Sequence, residues 1–232
     1  QQTHLSLRPH LLEEAYEVLE AIDQQDPIAL QEELGDLLLQ IVLNALIAIE
    51  SGAFSITEVI RSIHTKIVRR HPHVFGTVQL AGVEGVLKNW EKLKAEEREN
   101  GSHKNASGIL TGVPTSLPAL TQAQEYQDRA ARVGFDWPPI EGVMEKIKEE
   151  TGEIPSASNP AELEDEIGDL FCALVNLARW KQVDAESALR STNMKFKKRF
   201  SHIEQKARQQ GRKISDLSLD EMEALWQEAK KM

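Results

Sequence analysis

A chain of 232 residues is long enough for one domain or two, each with a workable core. Its make-up, 41% hydrophobic and 28% charged, is that of an ordinary globular protein. The net charge of −10 argues against a surface that coats nucleic acid, and it leaves a polyanionic ligand only local cations to bind: metal ions, or a few placed Lys and Arg.

Helical periodicity dominates, and no strong alternating strand pattern is present. Leu5 to Ile22 reads as the first helix, with Leu11, Leu12, Ala15, Val18, Leu19 and Ile22 on a broad apolar face. Asp26-Pro27 reads as an N-cap followed by proline at the first helical position, opening a helix that runs to about Ile49 and ends near Gly52. A third helix covers Thr57 to Arg70 and stops at Pro72; a fourth spans Val83 to Glu99. From Asn100 to Pro118 the chain turns rich in Gly, Pro, Ser, Thr and Asn, as a linker or long loop does. Helices then cover Ala119 to Val133 and Glu141 to Ile154, the latter cut short by Pro155. Asn159-Pro160-Ala161-Glu162 resembles a capping box and opens a helix to about Lys181. Ala185 to Gln210, ended by Gly211, and Leu219 to Lys230 complete the chain. Two helical domains, residues 1–105 and 106–232 with the linker reaching to about 118, are the economical division.

The single cysteine, Cys172, lies in an apolar helical run and is expected to be a small core residue. It can form no intrachain disulfide, which fits a reducing cytoplasm. The longest apolar stretch, Leu37 to Ile49, includes Gln40 and Asn44 and is too short to span a bilayer, so no membrane partner is expected. No signal peptide is visible, and the chain opens on Gln1 rather than Met, so residues ahead of Gln1 are expected in the native protein.

One acidic signature occurs twice. Glu13-Glu14-x-x-Glu17 is followed by Glu33-x-x-Asp36, and Glu149-Glu150-x-x-Glu153 by Glu166-x-x-Asp169. A proline, Pro27 or Pro160, precedes the second pair by the same interval in both copies. Residues three apart share a helix face, so Glu14 with Glu17 and Glu33 with Asp36 can meet across an antiparallel helix pair, as can Glu150, Glu153, Glu166 and Asp169. Four like charges repel and resist desolvation, which a hard divalent cation reverses. Oxygen-only ligands favour Mg²⁺ or Mn²⁺ over zinc. A solvated acidic face would explain one copy; two at matching spacing favour a metal site. The Glu-x-x-His motif of di-iron bundles is absent, as are zinc-type Cys/His patterns and the phosphate loop.

Each acid set is followed by a basic pair at i,i+4: Lys66 with Arg70, and Lys195 with Arg199. Alone, such a pair is usually a solvated face; after metal-type acids it becomes a candidate phosphate clamp. Trp226 and Lys230, also i,i+4, could add a base-stacking ring and another cation, with core packing the plain alternative for Trp226.

In these residues the chain resembles the MazG family of nucleoside triphosphate pyrophosphohydrolases, in its tandem-domain form. Both copies fit the family signature of Glu-Glu-x-x-Glu, a spacer and Glu-x-x-Asp. Supporting strings are Gln2-Thr3-His4, Arg70-His71-Pro72-His73-Val74-Phe75-Gly76, Arg132-Val133-Gly134-Phe135-Asp136-Trp137, and Asn193 through Phe200. The resemblance covers nearly the whole chain. It implies an all-α fold of two repeated domains that form four-helix bundles on dimerisation, and Mg²⁺-dependent hydrolysis of nucleoside triphosphates to the monophosphate and pyrophosphate. It maps metal ligands onto Glu150, Glu153, Glu166 and Asp169, with Glu14, Glu17, Glu33 and Asp36 as the first-domain set. Lys195, Arg199, Trp226 and Lys230 match positions that contact nucleotide. Family members carry Cys-Pro-Trp-Asp just before Gln-Thr-His, a segment that would precede Gln1 here. In the second domain Gly152 and Pro155 are expected to weaken the helix around Glu153.

The expected reaction is water attack on the α-phosphorus, with Glu149 or Glu150 accepting the proton and Lys195 and Arg199 offsetting charge on the departing phosphates. Hydrolysis of an alarmone such as guanosine tetraphosphate is a close alternative. A nucleotide-binding regulator is the non-enzymatic one; it would keep the helical dimer but need not keep all four metal ligands, and their retention counts against it. The second domain is expected to carry most turnover, because only there does a closing helix with Trp226 and Lys230 follow.

Overall fold

The computed structural model describes residues 2–76, 108–137 and 139–231, together with residues 82, 85, 86, 89 and 93. The described elements are helical throughout, as the periodicity requires. None is long and apolar enough to cross a membrane. The chain divides into two compact units, Gln1–Asn105 and Ala106–Met232. The helix expected over Val83 to Glu99 lies largely outside the described residues.

The first unit is built on a hairpin of two helices, α1 (His4–Gln24) and α2 (Pro27–Glu50). Thr3 caps α1 by accepting from Ser6 N–H, while the Ser6 side chain returns the bond to the Thr3 backbone. Asp26 caps α2 through Oδ1, which accepts from Ile28 and Ala29 N–H at 2.9 and 3.1 Å, with Pro27 at a position that needs no donor. The reversal turns on Gln25 in the left-handed region, φ 55°. A 2.8 Å hydrogen bond between His4 Nδ1 and Asn44 Oδ1 joins the start of α1 to the far part of α2, so the helices run antiparallel. Then come α3 (Ile56–Arg70), capped by Ser55 and Glu58, and the single turn α4 (Pro72–Phe75).

The second unit repeats the hairpin with α6 (Ile140–Glu153) and α7 (Pro160–Trp180), preceded by α5 (Ala119–Ala131). Asp136, just ahead of α6, accepts hydrogen bonds from Arg179 Nη2 and Trp180 Nε1 at the end of α7. This clamp ties the open end of the hairpin as His4 and Asn44 do in the first unit. Burial alone would raise the Asp136 pKa, but these donors, Arg179 first, hold it below the usual carboxylate range. Asn159 caps α7, while Glu162 accepts from Ser158 N–H rather than from the cap residue itself. Gln124 on α5 bridges the turn after α7, donating to Val183 O and accepting from Ala185 N–H. The long helix α8 (Ala185–Gln209) ends at Gly211, φ 67°, with Arg212 N–H returning to Ala207 O as in a Schellman motif. Helix α9 (Leu219–Ala229) folds back so that Met222, Leu225 and Trp226 pack on Ile203, Ala207 and Leu217. A bidentate pair from Arg212 to Glu221 pins its start.

Residues 108–118, read as a linker or long loop at the start of the second domain, are irregular and packed against their own unit: Val113 is buried, and the buried Arg129 donates from Nη1 to Thr111 O at 2.8 Å. A guanidinium out of water needs acceptors, and that strand of chain supplies one. Cys172 is exposed rather than core, because the apolar stripe of α7 is wider than α5 and α6 can cover; its Sγ accepts from Gln127 Nε2 at 3.2 Å. Helix α6 ends at Glu153, cut short ahead of Pro155, which lies in the 3₁₀ turn Ile154–Ser156 that follows.

A candidate metal and phosphate site

The hairpins bring the signature acids together. In the second unit Glu150 and Glu153 on α6 meet Glu166 on α7, each offering an oxygen within 4.8 Å of the others. Glu14, Glu17 and Glu33 form the same group in the first unit. Asp36 and Asp169 stand outside these groups of three; their shorter side chains, one turn further along, do not reach as far. Each still acts on its neighbour electrostatically.

The strain is visible in the pKa directions. Loss of water chiefly, then the charges of Glu153, Glu150 and Asp169, raise Glu166 above the usual carboxylate range. Desolvation, followed by Glu33, Glu14 and Glu13, raises Glu17; desolvation, Glu32, Asp36 and Glu14 raise Glu33. Carboxylates that lose water and then face one another resist ionisation, and such a group is a donor set suited to a divalent cation. An all-oxygen set suits Mg²⁺ or Mn²⁺.

The two copies differ in depth. Glu150 is 3% exposed, whereas Glu14 is only half-buried. Glu150 is also ion-paired, with Lys146 Nζ 2.6 Å from its Oε1 and 2.9 Å from Glu149 Oε1. These carboxylates hold the Lys146 pKa well above the ordinary lysine range. Lys146 carries no distinctive signal in the sequence, since Lys–Glu spacings of three and four are common on any surface helix.

The cations and the ring form a second grouping, on α8 and α9. The Arg199 guanidinium lies 5.5 Å from the Trp226 ring centroid, and Phe196 tilts against the same ring at 5.1 Å. Trp226 is half-buried, sharing its ring between the α8–α9 core and this surface. Lys195 and Lys230 are exposed. Phe196 was not marked by the acid or cation motifs; an exposed aromatic one turn before Arg199 was its signal. In the first unit Lys66 lies on the open face of α3 with Glu58, Ser62 and Arg69, and Arg70 is half-buried at the end of that helix.

Comparison with known proteins gives both halves one identity. A family model described as the MazG nucleotide pyrophosphohydrolase domain matches twice, over residues 2–75 and 139–204. Each match encloses one acid set; Trp226 and Lys230 lie beyond the second. The nucleoside triphosphate pyrophosphohydrolase/pyrophosphatase MazG of Thermotoga maritima is 45% identical over 229 residues, spanning 99% of this chain and 87% of its own. The nucleoside triphosphate pyrophosphohydrolase of Escherichia coli K12 is 41% identical over 236 residues, spanning 100% and 89%. An uncharacterized Bacillus subtilis protein, YabN, is 45% identical over 236 residues, which are 47% of its length.

Proposed function

This chain belongs to the MazG nucleotide pyrophosphohydrolase family, and we propose that it hydrolyses nucleoside triphosphates to the monophosphate and pyrophosphate, with Mg²⁺, or Mn²⁺ in its place, held by the second unit. The observation that carries this reading is the convergence of Glu150, Glu153 and Glu166 from two helices. Asp169, one turn beyond Glu166 on the same helix and outside this group, would add its charge as the fourth carboxylate. The bound cation would supply Lewis-acid neutralisation of phosphate charge and a lowered pKa for water.

The chain's own residues do the rest. Glu149 is exposed beside the buried Glu150; Lys146 donates to Glu149 Oε1, and the other Glu149 carboxylate oxygen would take the proton of the attacking water. The new bond forms from that water's oxygen to the α-phosphorus. The bond from the α-phosphorus to the bridging oxygen breaks, and its electron pair leaves with pyrophosphate. Lys195 and Arg199 offset the charge that develops on the departing phosphates. Trp226 offers a face for the base, with Arg199 already seated on the ring. Lys230, one turn beyond, adds a cation at the rim. Glu14, Glu17, Glu33 and Asp36, with Lys66 and Arg70, form a second and weaker site in the first unit.

A second copy of the chain completes each bundle. The positions Leu34, Leu38 and Ile41 on α2 are exposed, and so are their repeat counterparts Ile167, Phe171 and Leu174 on α7. Both stripes follow i, i+4, i+7, the spacing of a helix seam that lacks its partner.

Incubation with a panel of nucleoside triphosphates tests the activity. Mg²⁺ should give pyrophosphate and monophosphate in equal amounts, and excess EDTA should stop the reaction. Full turnover in EDTA, or orthophosphate as the first product, would rule the reading out.

A further inference from the structure

The second acid cluster contains its own cation. Lys146 bridges Glu149 and Glu150 from one turn earlier on the same helix, and the Glu150 side chain it contacts is 4% exposed. A carboxylate removed from water so completely is strongly penalised unless a cation or several donors meet it. The ammonium meets that need while its stem stays partly in solvent. The first repeat has His10 at the same register. Its ring nitrogen is 3.5 Å from Glu13, both side chains are well exposed, and Glu14 is half-buried. An exposed pair of that kind contributes little. The repeats therefore share an acid signature but differ in what balances it.

Glu150 is also one of the three carboxylates that converge. A divalent cation entering this group must approach an ammonium already bound to one of its ligands. We infer that Lys146 is the resting counter-ion of the second acid cluster, and that a divalent cation loads there by displacing its ammonium from Glu150, an exchange the first cluster does not require. The inference rests on the reading of the cluster as a metal site. It makes Lys146 a positioning residue: it holds the Glu150 carboxylate in place while metal is absent, and it sets a threshold for metal entry.

The test uses the full chain with Glu33→Gln and Asp36→Asn, so that the second cluster dominates the signal. Mn²⁺ binding without nucleotide is titrated by electron paramagnetic resonance, and thermal unfolding is followed in EDTA and in saturating Mg²⁺. Lys146→Met keeps the stem and removes the charge. It should bind Mn²⁺ about tenfold more tightly, because a cation no longer opposes entry. Its Tm should fall in EDTA and recover toward the parent value in Mg²⁺. Lys146→Arg should restore the parent behaviour in both measurements. If Lys146→Met is too unstable to purify, Lys146→Gln, which still donates to Glu150, gives the same comparison. Unchanged or weaker Mn²⁺ affinity would overturn the inference, as would a Tm loss equal in EDTA and Mg²⁺, the mark of a purely structural lysine. Mn²⁺ binding to neither protein would overturn the metal reading of the cluster and this inference with it.

Discussion

Glu166→Gln combined with Asp169→Asn is expected to lower kcat/KM by about a thousandfold or more, while Glu33→Gln with Asp36→Asn leaves most of the activity. A thousandfold corresponds to about 4 kcal/mol of transition-state stabilisation, within the several kcal/mol a bound metal supplies. The amides keep the shape of the side chains and remove the charge that would hold a cation. Neither position is buried, so the helical fold should survive, with circular dichroism unchanged. The asymmetry between units comes from two features. Glu150 is enclosed where Glu14 is half-exposed, and among the described residues it is the second unit that carries a cation–ring pair, Arg199 on Trp226. Steady-state kinetics on both double variants decide the matter. If the first-unit variant is the inactive one, the roles of the two repeats must be exchanged.

Leu38→Glu together with Phe171→Glu is expected to convert a dimer into a monomer. These are the same position in the two repeats, and they are 60% and 55% exposed in the single chain. If a second copy covers both, two carboxylates must enter an apolar seam without partners, at an effective cost of several kcal/mol each. Light scattering coupled to size exclusion should give twice 26.1 kDa for the parent chain and 26.1 kDa for the variant. The variant should also lose turnover, since each bundle is then half-built. A parent chain that is already a stable and active monomer would contradict this.

Much of the helical framework was legible because the chain marks its own ends. Asp26-Pro27 and Asn159-Pro160 open helices where expected, since a short acceptor side chain before proline satisfies the first free donors. The acid groups were legible because a fixed spacing on paired helices leaves few other outcomes. Gly152 and Pro155 were legible as a helix end, because breakers act by position and α6 stops at Glu153 between them. The packing of residues 108–118 was hidden because it depends on one buried guanidinium reaching a backbone carbonyl, a contact between segments with no local pattern. Cys172 was misplaced for a related reason: apolarity predicts burial, but not which chain provides it. Asp36 and Asp169 show the limit of spacing itself, since two side chains on one face need not reach equally far.

In the proposed reaction the converging carboxylates of the second unit direct water to the α-phosphorus of a nucleoside triphosphate. Turnover in ¹⁸O-water with Mg²⁺, followed by mass spectrometry of both products, tests this most directly. Label is expected in the monophosphate and none in pyrophosphate. Label in pyrophosphate, or release of labelled orthophosphate with a nucleoside diphosphate, would contradict it.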